Sequence, residues 1–160
     1  TKELEQMYNG SFHKYKSTFA PVELKIGNFT IEALFSPKND IANKEIIPLI
    51  KEAKEYIYMP MFFISHKGIA NALIEARQRG VDVKVIHDAT NSHANNTTHK
   101  ILRNGGVNVK TENYAGKMHM KSLVIDDNIS LIGSMNFTNS GNNKNDENVL
   151  IIKSLQNMIQ

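Results

Sequence analysis

The sequence predicts an α/β fold, in which a mixed, largely parallel β-sheet is flanked by helices on both faces. The main observation is that strand and helix patterns alternate between residues 29 and 112, which is typical of βαβ units with right-handed crossovers. A hairpin and a last strand follow, so we expect the sheet to be mixed. With 160 residues, the chain has room for one such domain but not for a second large one.

Residues 1–27 differ from the rest of the chain because they are polar and weakly patterned. We therefore expect an N-terminal extension that packs on a single domain spanning residues 28–160. This domain opens with an alternating run from Phe29 that Pro37 closes, which predicts the first strand.

The next elements are predicted from the spacing of their apolar residues. Helical segments repeat them three and four positions apart, whereas strands alternate or, at 56–64, are apolar throughout, which is typical of a strand buried on both faces. Pro48 predicts a kink in the first helix or a restart near Ile46. The predicted elements are a helix at 41–56, a strand at 56–64, a helix at 66–80, a strand at 81–89, a loop at 90–98, a short helix at 99–106 and a strand at 107–112.

The composition excludes several kinds of site. The chain has no cysteine, which excludes disulfides, thiolate metal ligands and a cysteine nucleophile. Its net charge of +3 allows an anionic partner without demonstrating one. No run approaches the roughly 18 apolar residues of a membrane span. Because the chain opens with Thr1 rather than Met, we expect a preceding segment that carries an export signal or a membrane anchor.

The residues suited to catalysis lie on a predicted hairpin, formed by strand-like runs at 118–126 and 129–134, and at the start of a last strand at 148–152. His119 and Lys121 are two positions apart on a strand, so their side chains project from the same face. The others follow at the turn, on the returning strand and after an Asn-rich loop: Asp126, Gly133, Ser134, Asn136 and Glu147. This set suits a tetrahedral anion.

Each of these side chains has a role in phosphoryl chemistry. A neutral imidazole is a nucleophile near neutral pH, and the Lys121 ammonium would bind non-bridging oxygens. Ser134 and Asn136 would donate further hydrogen bonds. A carboxylate on the other ring nitrogen would fix the tautomer of His119, a task open to Glu147 or Asp126.

The motif gives a family resemblance. His119-Met120-Lys121, then Asp126, then Gly133-Ser134-Met135-Asn136 resembles the H-x-K-x4-D-x6-G-S-x-N signature of the phospholipase D superfamily, and Glu147 is similar to the acidic residue that usually follows it. The likeness covers about residues 29–152, including the strand that ends at Asp88. Within the superfamily, the chain resembles the bacterial endonucleases with a single motif, of the NucT type.

The resemblance implies a phospholipase D/nuclease fold and a phosphodiester hydrolase without metal or other cofactor. It implies DNA as the substrate, with single strands preferred and RNA as a further candidate. Since larger members carry two motifs and this chain carries one, it implies a homodimer with one shared site. One His119 would form a phosphohistidine, while the partner's His119 protonates the leaving oxygen and then activates water. A bacterial protein that is exported or membrane-associated, in the periplasm or on the outer face, is also implied.

Two other functions stay open. The same motif would serve a hydrolase of phospholipid head groups, such as those of cardiolipin, but we see no amphipathic apolar stripe near the motif. The third candidate is a non-catalytic module that binds nucleic acid, and the intact set of catalytic residue types argues against it.

Some further residues allow a second interpretation. Tyr114, beside the motif, is a candidate for stacking on a substrate base, and His93 is a candidate substrate contact. A metal site near His93 is disfavoured because the spacing of His87, Asp88, His93 and His99 matches no common zinc motif. The aromatic residues Tyr56, Tyr58, Phe62 and Phe63 are expected in the core.

Overall fold

The structure is a computed structural model that describes residues 2–93 and 97–154. Its strands are β1 (Val22–Ile26), β2 (Phe29–Phe35), β3 (Tyr56–Met61), β4 (Asp82–Asp88), β5 (Asn108–Glu112), β6 (Ser122–Ile125), β7 (Ile129–Gly133) and β8 (Asn148–Ser154). Its helices are α1 (Lys2–Tyr8), α2 (Ile47–Glu52), α3 (Lys67–Gln78), α4 (Ala89–His93), α5 (Thr98–Asn104) and α6 (Asn139–Asn143). A 3-10 turn lies at His13–Tyr15, and a π-helical turn at Ala42–Ile46 leads into α2.

The strands form one mixed sheet in the order β1-β2-β8-β7-β6-β3-β4-β5. The sheet is mostly antiparallel, so the predicted largely parallel sheet is wrong. Only β3–β4 and β4–β5 are parallel among the described strand pairs, and the other five are antiparallel. The reason is that parallel neighbours need a crossover, which α3 and the α4–α5 segment supply, whereas short turns connect β1 to β2 and β6 to β7.

The core lies between one face of the sheet and helices α2, α3 and α5. Ile57, Met59 and Met61 of β3 are fully buried on that face. On the opposite face Tyr58 and Ile132 are exposed, so the predicted burial of β3 on both faces is wrong. The prediction of helices on both faces holds only in part. Helices α2, α3 and α5 cover the core face, whereas α1 lies beside only β2 and β8 on the opposite face.

The predicted N-terminal extension is tied to the domain through a buried lysine. The Nζ of Lys16 binds the carboxylate of Glu3, lies 2.7 Å from Oδ1 of Asp146 and donates to the carbonyl of Ser36 at 2.9 Å. The last residues of the extension form β1, a strand that the weak pattern of residues 1–27 did not predict. Within the described ranges, no helix is long and apolar enough to cross a bilayer.

Local differences from the predicted elements concern loops and strand ends. Helix α4 begins at Ala89, the last residue of the predicted strand, and continues into the loop predicted at 90–98, and α6 lies within the Asn-rich loop. Strand β6 begins at Ser122, later than predicted, so that His119 precedes the regular strand. Pro48 was predicted to kink the helix or to mark a restart near Ile46; it lies in the first turn of α2, where the π-helical turn passes directly into the α-helix.

Candidate active site

Most of the predicted site residues lie beside one another at one end of the neighbouring strands β6, β7 and β8. Ser122 at the start of β6 pairs with Ile132 near the end of β7, and Gly133 at the end of β7 pairs with Val149 of β8. The residues before β6, after β7 and before β8 therefore lie together. Gly133 permits this arrangement, because a Cβ atom there would lie 2.2 Å from the backbone oxygen of Asn148.

His119 lies just before β6, with an exposed side chain. Its ring packs against the ring of Phe62, with 4.4 Å between their centroids. Among the residues that the structure describes, neither ring nitrogen of His119 has a hydrogen-bond partner. Both nitrogens are therefore accessible to a phosphorus atom or a proton.

Lys121 is only 9% exposed, yet its ammonium group lies at the same end of the strands, beside His119. A bridge between the backbones of Lys121 and Met61 fixes its position, and its Nζ donates to the carbonyl of His119 at 2.9 Å. Burial lowers the pKa of Lys121, while the carboxylate of Glu147 acts to raise it. An ammonium has three donors, so Lys121 retains donors for the oxygens of a bound phosphate.

Ser134 and Glu147 form a hydrogen-bonded pair. The Oγ of Ser134 donates to Oε2 of Glu147 at 2.5 Å and accepts from the N–H of Asn148 at 3.1 Å. The amide of Asn145 donates to Oε1 of Glu147 at 3.0 Å. Glu147 thus lies in the site but contacts Ser134 rather than the imidazole, so its predicted action on His119 stays a prediction.

Asn136 carries a polar atom without a protein partner. Its Oδ1 is buried and accepts no hydrogen bond from the described residues. The neighbouring Phe137 is fully buried and holds this segment in place. Because Oδ1 is an acceptor, it cannot bind a phosphate oxygen; the amide N–H groups of Asn136 donate to no described residue and are the donors available to a substrate.

Asp126 is not part of this cluster, which corrects its proposed role in orienting the imidazole. It follows β6, at the opposite end of that strand from Lys121. Its carboxylate accepts hydrogen bonds from the backbone N–H groups of Lys54, Glu55 and Tyr56, at 2.8 to 2.9 Å. Asp126 therefore anchors the start of β3.

Asp88 is a functional candidate whose role the sequence did not indicate. It is buried at the end of β4, where Oδ2 accepts from the N–H of Met118 at 3.0 Å and Oδ1 accepts from the N–H of Thr90 at 2.8 Å. Burial alone would raise the pKa of Asp88, but these hydrogen bonds and Lys117 lower it to about 2. Because Met118 precedes His119, Asp88 fixes the segment that carries the imidazole. The only signal in the sequence was the resemblance of the strand that ends at Asp88.

Phe62 is the second residue whose role was missed. Its ring is only partly buried, contacts His119 and lies 4.8 Å from the Nζ of Lys121, a cation–π distance. Its N–H donates to the carbonyl of Met120 at 2.7 Å. The core position expected for Phe62 is therefore wrong, since it forms a wall of the site. The sequence could not indicate this without the pairing of β3 with β6.

The other candidates lie apart or outside the description. Tyr114 is exposed on the segment that leads to His119, and its N–H donates to Oε1 of Glu112 at 3.2 Å. His93 ends α4, and its side chain lies outside the described residues. His87 is buried and hydrogen-bonds through both ring nitrogens, and burial lowers its pKa. The described part of the chain contains no group of three His, Cys, Asp or Glu side chains suited to a metal ion.

In comparison with known proteins, the sequence matches one family model and is similar to several named proteins. Residues 46–160 match the family model described as "Cardiolipin synthase, PLD-like domain". A protein named phospholipase D from Rickettsia typhi is 30% identical over 149 residues, which cover 88% of this chain and 72% of that protein. The mitochondrial cardiolipin hydrolase of Xenopus tropicalis is 33% identical over 115 residues, which cover 72% of this chain and 55% of that protein. The chain thus spans about half the length of the second relative.

Two solved structures are similar over nearly their whole length. A phospholipase D family member, Nuc from Salmonella typhimurium, superimposes with a TM-score of 0.74 and 26% identity, covering 81% of this chain and 86% of Nuc. NucT from Helicobacter pylori gives a TM-score of 0.68 and 26% identity, covering 82% of this chain and 89% of NucT. Most of this chain therefore shares its fold with both proteins.

Proposed function

The chain belongs to the phospholipase D superfamily of phosphodiester hydrolases, and we propose that it is a metal-independent endonuclease that cleaves DNA, preferentially single strands, at a site shared by two copies of the chain. The observation that carries the proposal is the arrangement at the ends of β6, β7 and β8. There, one imidazole whose ring nitrogens have no hydrogen-bond partner among the described residues lies beside one buried ammonium. Two-step phosphoryl transfer needs a nucleophile and a general acid, and each chain offers one such histidine.

The first step of the proposed reaction forms a phosphohistidine. A ring nitrogen of His119 attacks phosphorus, and the bond from phosphorus to the leaving oxygen breaks while the partner's His119 gives that oxygen a proton. Negative charge grows on the non-bridging oxygens. Lys121 and the amide N–H groups of Asn136 would stabilise this charge, and Ser134 would add a hydrogen bond once its hydroxyl turns from Glu147 to the substrate.

The second step releases the phosphate from His119. The partner's His119, now neutral, takes a proton from water as the water oxygen attacks phosphorus, and the bond between nitrogen and phosphorus breaks. The product keeps a terminal phosphate, and both histidines return to their starting states. Lys121 and the amide and hydroxyl donors take the place of the cations in two-metal nucleases, so the proposed reaction needs no divalent ion.

A second candidate is hydrolysis of phospholipid head groups by the same residues. It is favoured by the names of the two relatives, phospholipase D and mitochondrial cardiolipin hydrolase. Met120, next to His119, is also 53% exposed and offers an apolar contact. The nuclease is preferred because the chain matches Nuc and NucT over most of both partners' lengths, which supports a function carried by this one domain.

Parallel digestions distinguish these functions. Single-stranded DNA, duplex DNA, RNA and cardiolipin vesicles are incubated with the protein in excess EDTA, with His119→Ala as the matched control. We expect single-stranded DNA to be cleaved fastest, and the variant to be inactive. Hydrolysis of cardiolipin without cleavage of any nucleic acid would establish the second candidate instead. Binding of DNA without any cleavage would indicate a non-catalytic module, and loss of cleavage that a divalent ion restores would contradict the metal-free mechanism.

A further inference from the structure

The edge of the sheet farthest from β5 is formed by β1, whose sequence is VELKI. All five of its residues are exposed, and the apolar Val22, Leu24 and Ile26 are 58%, 56% and 58% exposed. An edge strand presents unpaired N–H and C=O groups that can pair with another strand. A strand with this apolar content and no cover within the described residues therefore needs an explanation.

The hairpin of β1 and β2 determines which backbone groups face outward. Ile26 pairs with Phe29 across the two-residue turn at 27–28, and the closing pair of such a hairpin is hydrogen-bonded. Hydrogen-bonded and non-hydrogen-bonded pairs alternate along an antiparallel ladder. The backbone groups of Leu24 and Ile26 therefore point toward β2, whereas those of Glu23 and Lys25 point toward the open edge.

We propose that β1 pairs with β1 of a second copy of this chain, antiparallel, across a twofold axis at Leu24. In this register Leu24 faces the partner's Leu24, Val22 faces the partner's Ile26, and Glu23 faces the partner's Lys25. The sequence VELKI is thus complementary to itself in both charge and apolar character. Opposite charges and apolar side chains that face each other across strands stabilise the pair.

The backbone supports the same register. Glu23 and the partner's Lys25 form the hydrogen-bonded pairs, which use the groups that point outward. Leu24 lies at the non-hydrogen-bonded position on the axis, where side chains approach most closely. Centring the axis on Glu23 or Lys25 instead would place like charges opposite each other, which destabilises the pairing. Register and partner are therefore specified together.

This contact is separate from the proposed shared active site. Strands β2, β8 and β7 lie between β1 and β6, so β1 is about 20 Å from the strand that follows His119. Pairing through β1 does not bring two copies of His119 together. A chain that uses both surfaces would assemble beyond the dimer, because each twofold contact joins a different pair of copies.

An engineered disulfide tests the register, since the chain has no cysteine of its own. Leu24→Cys places two sulfurs on the axis, with Cα atoms about 4.5 Å apart, within the range of a disulfide. We expect a covalent dimer under mild oxidation. Phe29→Cys, exposed on the same hairpin but one strand inward, is the matched control and should cross-link far less. Equal rates for the two variants would overturn the proposal.

A charge exchange tests the pairing independently. Glu23→Lys or Lys25→Glu places like charges opposite each other and should weaken this association step at least tenfold in sedimentation equilibrium. The double variant Glu23→Lys with Lys25→Glu restores opposite charges and should restore association. Phosphodiesterase activity should be unchanged in all three. Single variants that associate like the wild type, or a double variant that stays dissociated, would contradict the proposal.

Discussion

Single residues before β6 are held by side chains from distant parts of the chain. Phe62 lies against both His119 and Lys121, and Asp88 accepts a hydrogen bond from the backbone of Met118. The imidazole is exposed, so its position depends on these neighbours rather than on burial. Asp88 is therefore a positioning residue, because it acts on His119 through the backbone.

Replacing Asp88 should lower kcat more than it changes KM. In Asp88→Ala, the N–H of Met118 loses its acceptor and the segment before His119 is free to shift. A shift of about 1 Å at a reacting group costs on the order of 100-fold in rate. The measurement is kcat and KM on single-stranded DNA, with the exposed Asp82→Asn of the same strand as the control. A rise in KM alone would assign Asp88 to substrate binding instead.

Protonation of His66 is expected to lower the free energy of unfolding in acid. Its buried ring caps α3, since Nδ1 accepts from the N–H of Ile69 at 3.3 Å, and burial lowers the pKa of His66 below its ordinary 6.5. The unfolded chain therefore takes up a proton before the folded one does. The stability from the neutral ring is complete above about pH 6.5 and is lost as the pH falls toward the lowered pKa.

Urea denaturation between pH 7.5 and pH 4.5 measures this loss. His66→Asn keeps an N-cap acceptor but does not titrate, so its free energy of unfolding should fall less steeply in acid than that of the wild type. His119→Asn, which removes an exposed imidazole, is the matched control. Identical slopes for wild type and His66→Asn would assign the acid sensitivity to other groups, such as the buried His87.

At the scale of the elements, we expect a substitution in the turn between β6 and β7 to lower the stability of the fold without lowering kcat. Asp126→Asn tolerates the left-handed backbone, φ 50°, but replaces one acceptor oxygen with a donor amide. At least one of the backbone N–H groups at the start of β3 then lacks its acceptor, at a cost of about 1–3 kcal/mol in the free energy of unfolding. Thermal unfolding should register this loss, while folded enzyme keeps its kcat. Glu55→Ala, in the segment before β3 that Asp126 contacts, is the control. A large fall in kcat of fully folded Asp126→Asn would return Asp126 to the catalytic group.

The elements also explain what the sequence could and could not predict. The placement of Lys121, Ser134 and Asn136 near one end of the β6–β7 hairpin was predictable because their spacing along the chain is local. The anchoring by Asp126 was not, since its partners lie 70 to 72 positions away. A position for Pro48 in the first turn of a helix was one of two outcomes predictable from its missing N–H, whereas strand direction depended on which strands become neighbours in the sheet.

At the scale of the whole molecule, the N-terminal extension is connected to the site. Lys16 contacts Asp146, the residue before Glu147, and the N–H of Ser36 donates to the carbonyl of Glu147 at 3.0 Å. A buried ion pair that loses one partner leaves an uncompensated charge, so this contact is costly to break. The extension thus supports the strand start that carries the Ser134–Glu147 pair.

The proposed shared site predicts how mixed dimers behave. If cleavage needs His119 from both copies, a dimer of one wild-type chain and one His119→Ala chain lacks either the nucleophile or the general acid. After subunit exchange of equal amounts, only about a quarter of the dimers keep both imidazoles, so activity should fall to about half that of the unexchanged mixture. A wild-type sample mixed with Asp82→Asn is the control for exchange itself. Activity that is unchanged by exchange with His119→Ala would mean that each chain cleaves alone, and the second imidazole would then have no part in the reaction.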